Sequence, residues 1–537
     1  MNAMKATRVL VLSGIVTLTN QFGAVAGEAN DLLVANPDST PVKETVTANS
    51  QFAVDLYKQL AKENEGKNLF FSPYSVSSAL AMTAEGARKE TATEMGQVLR
   101  FPEAARRVGD DAQLIPWQTS LIHTGMSELN RKLNNADKDP AKTAGIRAKI
   151  IELRKELEAV KANAAQLKAD KKWREYHAVQ NKEREIAGKL NAESAKVDQY
   201  EIRVANALWG EKTYPFDPNY TETIKKHYDT GSVFPVDFKT NFEAVRLKIN
   251  GWVEKQTNDR IKDLLPDGSL DALTRLVLVN AIYFKGDWSV PFKEENTKER
   301  DFTLASGNKQ QTPIMYAPKL DVARYGAFNA DGSHFETPAR IGRGQDPKGH
   351  YPKSDGFAMV ELPYKGDDLS MVVIAPNDPA GLSAVEENLT PEHLSQWIGK
   401  LQKRATHVYL PKFKMETDYK LGDADEPGTL QKMGMARAFK DPRNPKTGAQ
   451  FQGMTTSTDP MEQLYISKVF HKAFVEVNEK GTEAAAATAV VMSVARSLPR
   501  DVPFTPEFKA DRPFVFLIRE KSTGSVLFIG RMTQPAE

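Results

Sequence analysis

Two rhythms of apolar residues run through this chain. Over residues 50–66, Phe52, Leu56 and Leu60 recur at helical spacing, and Gly66 supplies a stop. Ser72 followed by Pro73 predicts the start of a second helix, a capping hydroxyl before a proline whose missing N–H costs nothing there. Its small residues Ser77, Ser78 and Ala79, with Leu80 and Met82, would let it sit close beneath a sheet. Val245, Ile249 and Val253 mark another helix over 244–257. Residues 276–284, LVLVNAIYF, are a continuous apolar run of the kind that forms a strand buried on both faces. Asn280 lies inside it and needs partners, since burying an unpaired amide costs roughly a few kcal/mol. Shorter strands are predicted over 357–364, 370–376 and 408–414. Residues 327–356, rich in Gly, Asp and Pro and holding His334 and His350, read as a long surface loop.

Two stretches break this pattern. In residues 136–199, Ile146, Ile150, Leu153, Leu157, Val160, Ala164 and Leu167 alternate steps of four and three, a heptad seam. A weaker echo follows in Tyr176, Val179, Ile186, Leu190 and Val197, interrupted by Glu183 and Glu193. The simplest outcome is an antiparallel coiled-coil hairpin turning near 168–172, each arm of about 25 residues reaching roughly 38 Å. The second stretch, 479–499, begins Glu479-Lys480-Gly481-Thr482-Glu483-Ala484-Ala485-Ala486-Ala487. The alanines favour helix. The continuation into Ala489-Val490-Val491-Met492 is β-prone, and no charge falls between Glu483 and Arg496. At period two, Thr482, Ala484, Ala486, Thr488, Val490 and Met492 share one face, with Glu483 on the other. Such a segment can live as a loop and also enter a sheet without burying a charge.

Three strings carry a family resemblance. They are Asn280-Ala281-Ile282-Tyr283-Phe284-Lys285-Gly286-Asp287-Trp288 with Phe292 and Thr297, the run 466–484 through His471 to Ala484, and the C-terminal strands in 511–531. From about Ser50 to Met532 the chain resembles the serpins, the serine protease inhibitor family. The resemblance implies an α+β domain over 48–537 with three β-sheets, about nine helices and an exposed reactive loop. The hairpin of 136–199 would be an insertion, and 479–499 the loop and its hinge. It also implies a metastable fold acting as a suicide substrate. A protease cleaves the loop and forms an acyl-enzyme, and the freed segment enters the main sheet; serpin loop insertion is an established case of strand addition.

By the same resemblance, Ser72, Ser75, Asn280 and His471 form a polar cluster gating sheet opening, and Glu479 pairs with Lys412 near Trp288, where insertion begins. Read from composition alone, Ser72 and Ser75 are a cap and satisfied hydroxyls, and His471 is a hydrogen-bonded core histidine. The hinge residues Gly481, Thr482 and Ala484 to Ala487 carry no proline, bulk or charge to resist entry, which favours an inhibitor. Counting the family's spacing from Gly481 puts the scissile bond at Ala495–Arg496, suiting an elastase-like enzyme. Aligning on Arg496 puts it at Arg496–Ser497, suiting a trypsin-like one, and this is preferred because an exposed arginine is readily cleaved. The alternative from another class is a non-inhibitory binding or carrier protein using the hairpin as a docking arm.

Composition narrows the rest. Hydrophobic residues at 40% and charged residues at 26% describe a soluble globular chain. A net charge of +2 argues against a nucleic-acid or other polyanion binder, and Arg131, Lys132, Lys138 and Lys142 read as a solvated face. The chain has no Cys, which excludes disulfides, thiol nucleophiles, thiolate metal sites and a lipoprotein-type anchor. No HExxH, GxSxG, Walker or dinucleotide motif appears, so neither an enzyme nor a cofactor or metal site is expected. Lys5 and Arg8, the apolar run 9–18 and Ala24-Val25-Ala26 read as a signal peptide over 1–26, too short to span a bilayer. This predicts a secreted or periplasmic protein with a flexible tether over 27–47, a serine protease as partner, and a possible protein partner for the hairpin.

Overall fold

The computed structural model describes residues 37–134, 140–170, 172–194, 200–228, 233–342, 354–482 and 501–535. Three large sheets and a two-stranded ribbon carry the described strands. The six-stranded sheet runs Phe413–Asp423, Lys468–Asn478, Gly481–Thr482, Leu276–Asp287, Tyr200–Glu211, Val233–Val236. A four-stranded sheet centres on Thr406–Pro411 and Lys309–Leu320, and an eight-stranded sheet on Leu369–Pro376 and Phe514–Glu520. Among the described residues there are eleven α-helices. Two, Pro140–Ala169 and Trp173–Ser194, form a hairpin, which leaves nine in the body.

The Leu276–Asp287 strand shows why the body is layered. Leu278, Ile282 and Phe284 face the main core, shared with the helices Thr40–Glu63 and Pro73–Ala84 and with the eight-stranded sheet. Val277, Val279 and Ala281 face a second core beneath the helix Phe238–Gln256, filled by Phe238, Val245, Ile249 and Val253. Both faces are therefore apolar, as the unbroken run required. Every residue of Pro73–Ala84 is buried, which its small side chains permit.

Two expectations need correction. The first helix starts at Thr40, so the flexible tether cannot extend to residue 47. Ser39 caps it, its hydroxyl accepting from Val42 N at 3.3 Å, and Val42, Thr45 and Val46 are buried. Val42, Val46, Asn49, Ala53, Leu56 and Leu60 make one seam at steps of four and three. Polar residues at Thr45 and Asn49 disguised it; the Asn49 amide nitrogen donates to Val526 O at 2.9 Å. The region 327–356 is likewise not one loop. Arg324–Phe328 is a strand, His334–Phe335 pairs with it, and Arg340–Gly342 pairs with Asp501–Pro503. His334 sits against the Phe328 ring and Glu336, and no group of three metal-ligating side chains occurs among the described residues. His350 lies outside them.

The hairpin consists of Pro140–Ala169 and Trp173–Ser194. Leu153, Leu157, Val160 and Ile186 form its seam, flanked by Ile146 and Val179. Glu193, an apparent interruption, pairs across the arms with Lys149 at 2.7 Å. Val197 lies outside the described residues, as do the side chains of Ile150, Glu183 and Leu190. No described helix is long and apolar enough to cross a membrane.

Candidate functional site

The six-stranded sheet is split between its two central long strands. Leu276–Asp287 and Lys468–Asn478 run parallel and pair directly at Ala281↔Lys472 and Ile282↔Ala473. Towards their C-terminal ends they part, and Gly481–Thr482 lies between them, antiparallel to both. Gly481 pairs with Asp287 and Asn478, and Thr482 with Gly286 and Val477. Only glycine fits there. Its φ is +152°, and a Cβ would fall 2.1 Å from the Gly286 carbonyl oxygen.

The mouth of the split holds this wedge by several bonds. Trp288 N donates to Lys480 O at 2.8 Å, and Phe292 N to Glu479 O at 2.7 Å. The Trp288 indole donates to Asn478 O at 3.0 Å and stacks on Tyr364, centroids 4.7 Å apart. Glu479 is buried, meets Lys412 Nζ at 3.1 Å and accepts from the Thr297 hydroxyl at 2.7 Å. Burial pushes its carboxyl up, but the bonds from Thr297 and Lys412 outweigh it and hold the pKa below the usual range. Trp288, Lys412 and Glu479 thus converge, as the resemblance implied. Thr297 joins them, and sequence reasoning had given it no role.

Just past the point where the two strands close lies a buried polar network. Ser72 N donates to His471 Nε2 at 3.1 Å, so the ring proton is on Nδ1, which donates to Asn280 Oδ1. Asn280 Nδ2 donates to Ser75 Oγ at 2.8 Å and to Asn206 Oδ1 at 3.0 Å. Ser75 Oγ donates to Asn206 Oδ1 at 2.9 Å, and Asn206 Nδ2 returns a bond to Ser75 O at 3.0 Å. The Ser72 hydroxyl donates to Leu527 O at 2.6 Å and caps its helix by accepting from Ser75 N. His471 is fully buried, and desolvation pushes its pKa down to about 3, which keeps the ring neutral.

The four residues named from the sequence therefore meet at one place. The network ties the two sides of the split together through the His471–Asn280 bond. Asn206 is its unforeseen member; it lies in register beside Asn280 on Tyr200–Glu211. An amide inside the apolar run Val204-Ala205-Asn206-Ala207-Leu208 was the available signal. Ser72 and His471 do not make a nucleophile–base pair, because the ring accepts from the backbone N–H while the hydroxyl is committed to Leu527. Glu483, Ala484 to Ala487, Ala495, Arg496 and Ser497 lie outside the described residues. The basic face is partly committed, with Lys132 on Glu520 at 2.9 Å and Arg131 on Ser127 at 2.8 Å.

Comparison with known proteins gives a consistent result. A family model described as serpin (serine protease inhibitor) matches residues 47–161 and 152–535. Serpin B4 of Homo sapiens is 37% identical over 491 residues, covering 91% of this chain and 98% of that protein. Leukocyte elastase inhibitor of Bos taurus is 33% identical over 500 residues, covering 92% and 100%. Antithrombin-III of Mus musculus is 31% identical over 514 residues, covering 95% and 86%. Among solved structures, uncleaved ovalbumin aligns with a TM-score of 0.61 at 26% identity, covering 91% of this chain and 100% of its own. Human thyroxine-binding globulin complexed with thyroxine aligns at 0.63 and 25%, covering 93% and 100%.

Proposed function

This chain belongs to the serpin family, and from that premise we propose that it inhibits a serine protease as a suicide substrate. The observation that carries the proposal is the short strand Gly481–Thr482, seated antiparallel between two parallel strands that close again at Ala281 and Lys472. These two residues open the segment read as the loop, and on the face of Thr482 the sequence continues with the small residues Ala484 and Ala486, Glu483 falling on the other. The protease's catalytic serine attacks the carbonyl before the scissile bond, Arg496–Ser497 or alternatively Ala495–Arg496. An acyl-ester forms, and the peptide beginning after the cut is released from its covalent tether. The segment behind Arg496 then zips downward between the strands. About fifteen residues at about 3.3 Å each carry the bound enzyme roughly 50 Å. Around a dozen new backbone hydrogen bonds, each worth about 0.5–1.5 kcal/mol net, favour insertion by on the order of 10 kcal/mol.

Arg496 favours a trypsin-like target, and the likeness to leukocyte elastase inhibitor keeps an elastase-like one as the second choice. The apolar run 9–18 and Ala24-Val25-Ala26 support export, with a mature chain beginning near Gly27; N-terminal sequencing of the exported protein tests this. For inhibition, the protein is mixed with a protease of each class. A detergent-resistant complex, a released peptide beginning at Ser497 or Arg496, and a rise in melting temperature after cleavage are expected. Cleavage with neither complex nor stabilisation would leave the carrier reading, of which thyroxine-binding globulin is a relative's example.

A further inference from the structure

Inhibition by loop insertion makes no use of the hairpin. Its arms pack on each other, and the seam takes up Leu153, Leu157, Val160 and Ile186. Along the arms the exposed described positions are lysines, glutamates, alanines, amides, two glycines and His177, with no large apolar side chain among them. The exception is at the tip. Trp173 opens the second arm and is 52% exposed, its ring edge-on to Tyr176 with centroids 6.0 Å apart. Of the chain's six tryptophans, Trp117, Trp209, Trp288 and Trp397 are buried and Trp252 is half-buried, so Trp173 is the exposed one. The sequence flanking Trp173 is basic. Residues 136–199 hold fifteen Lys and Arg against eleven Asp and Glu, a surplus of four. Residues 168–174 alone hold four, Lys168, Lys171, Lys172 and Arg174, against Asp170, a surplus of three.

We propose that the hairpin tip docks on an anionic lipid surface, with Trp173 at headgroup depth and Lys172 and Arg174 on the phosphates. An indole beside cations suits that boundary, because its apolar body enters the acyl edge while its N–H stays among the headgroups. A dissolved polyanion would be served by the lysines alone and would leave Trp173 without a purpose. The first arm, thirty residues long, then acts as a stalk of about 45 Å that holds the inhibitor off the membrane. This reading stands whether or not the reactive loop inhibits.

The test uses the full chain with two kinds of vesicle, one of phosphatidylcholine and one of phosphatidylcholine mixed equally with phosphatidylglycerol. Sedimentation with the anionic vesicles, a blue shift of emission, and quenching by brominated acyl chains are expected, all reversed by high salt. Lys172→Ala with Arg174→Ala weakens binding roughly 25-fold, at about a factor of five per basic residue. Trp173→Ala abolishes the shift and the quenching and weakens sedimentation; Trp173→Tyr keeps the sedimentation but loses the shift and the quenching. Equal binding to neutral vesicles overturns the proposal, as does a Trp173→Ala chain that binds like the unaltered one. Capture by a sulfated polysaccharide without vesicle binding overturns it too.

Discussion

Acidification should loosen the split through His471. The ring is fully buried, both nitrogens are engaged, and desolvation alone pushes its pKa to about 3. In a state where the strands have parted and water reaches the ring, the value returns to about 6.5. The closed state therefore has the lower pKa and prefers the neutral ring. Its advantage is complete above pH 6.5 and declines as pH falls towards 3, because only the open state takes up the proton. At pH 5 the open state gains about 2 kcal/mol, a factor of roughly 30 in its population.

The assay is uptake of a labelled synthetic peptide matching residues 482–494, which can fill the split only when it opens. Uptake should accelerate up to roughly 30-fold between pH 7.5 and pH 5, and His471→Asn should flatten the dependence. His227 needs a control, since burial and the neighbouring His123 lower its pKa to about 4. It lies on the helix Pro218–His227, away from the split, so His227→Asn should alter overall acid stability and leave peptide uptake unchanged. Flat uptake in the unaltered chain, or full dependence surviving in His471→Asn, would refute the reasoning.

Three further outcomes follow from the same geometry. Gly481→Ala forces a Cβ onto the Gly286 carbonyl in a positive-φ conformation, at a cost of about 1–3 kcal/mol or more; amide exchange at Trp288 and Phe292, which donate to Lys480 and Glu479, should quicken at least fivefold. A double-mutant cycle on Lys412→Ala and Glu479→Gln should give a coupling of about 0.5–1 kcal/mol, modest because Lys412 is 41% exposed, and zero coupling would reject that pair. Arg531→Ala strands the Glu386 carboxylate beside Tyr57 and orphans the Lys67 and Asn64 carbonyls, so the urea midpoint should fall by the equivalent of about 3–5 kcal/mol.

What the sequence disclosed follows from the range of each signal. Periodicity is local, so the two-faced strand around Asn280, the heptads of the hairpin and the capped helix at Ser72 were all readable. The start of the first helix was not, because Thr45 and Asn49 occupy its buried seam and look like surface residues. The partner of the Asn49 amide nitrogen, Val526 O, lies 477 positions away. Asn206 was missed for a related reason. Its partners Ser75 and Asn280 are remote in sequence, and an isolated amide does not announce that it completes a network. The strand at Arg340 depends on Asp501–Pro503, remote in sequence, while His334–Phe335 forms a local hairpin with Arg324–Phe328 that a composition rich in turn formers hid. The family resemblance supplied the long-range pairings of the site, which no local pattern contains.

The wedge and the polar network act on the same two strands, and their registers can be joined. Thr482 lies opposite Val477 and Gly286. An antiparallel strand continuing from it would set Ala484 opposite Val475 and Phe284, Ala486 opposite Ala473 and Ile282, and Thr488 opposite His471 and Asn280. Val475, Phe284, Ala473 and Ile282 all line the main core, so the small face of the entering segment is the one that core can accept. Insertion must break the His471–Asn280 bond, and each buried group left unpaired would cost about 1–3 kcal/mol. Thr488, the one polar residue on that face between Thr482 and Met492, arrives at this point with a donor and an acceptor. Thr488→Val should therefore lower the stability of the loop-cleaved form by about 1–3 kcal/mol and leave the uncleaved form unchanged, with Thr488→Ser close to the unaltered chain. Equal melting of the cleaved Val and Thr forms would mean that the segment enters in another register.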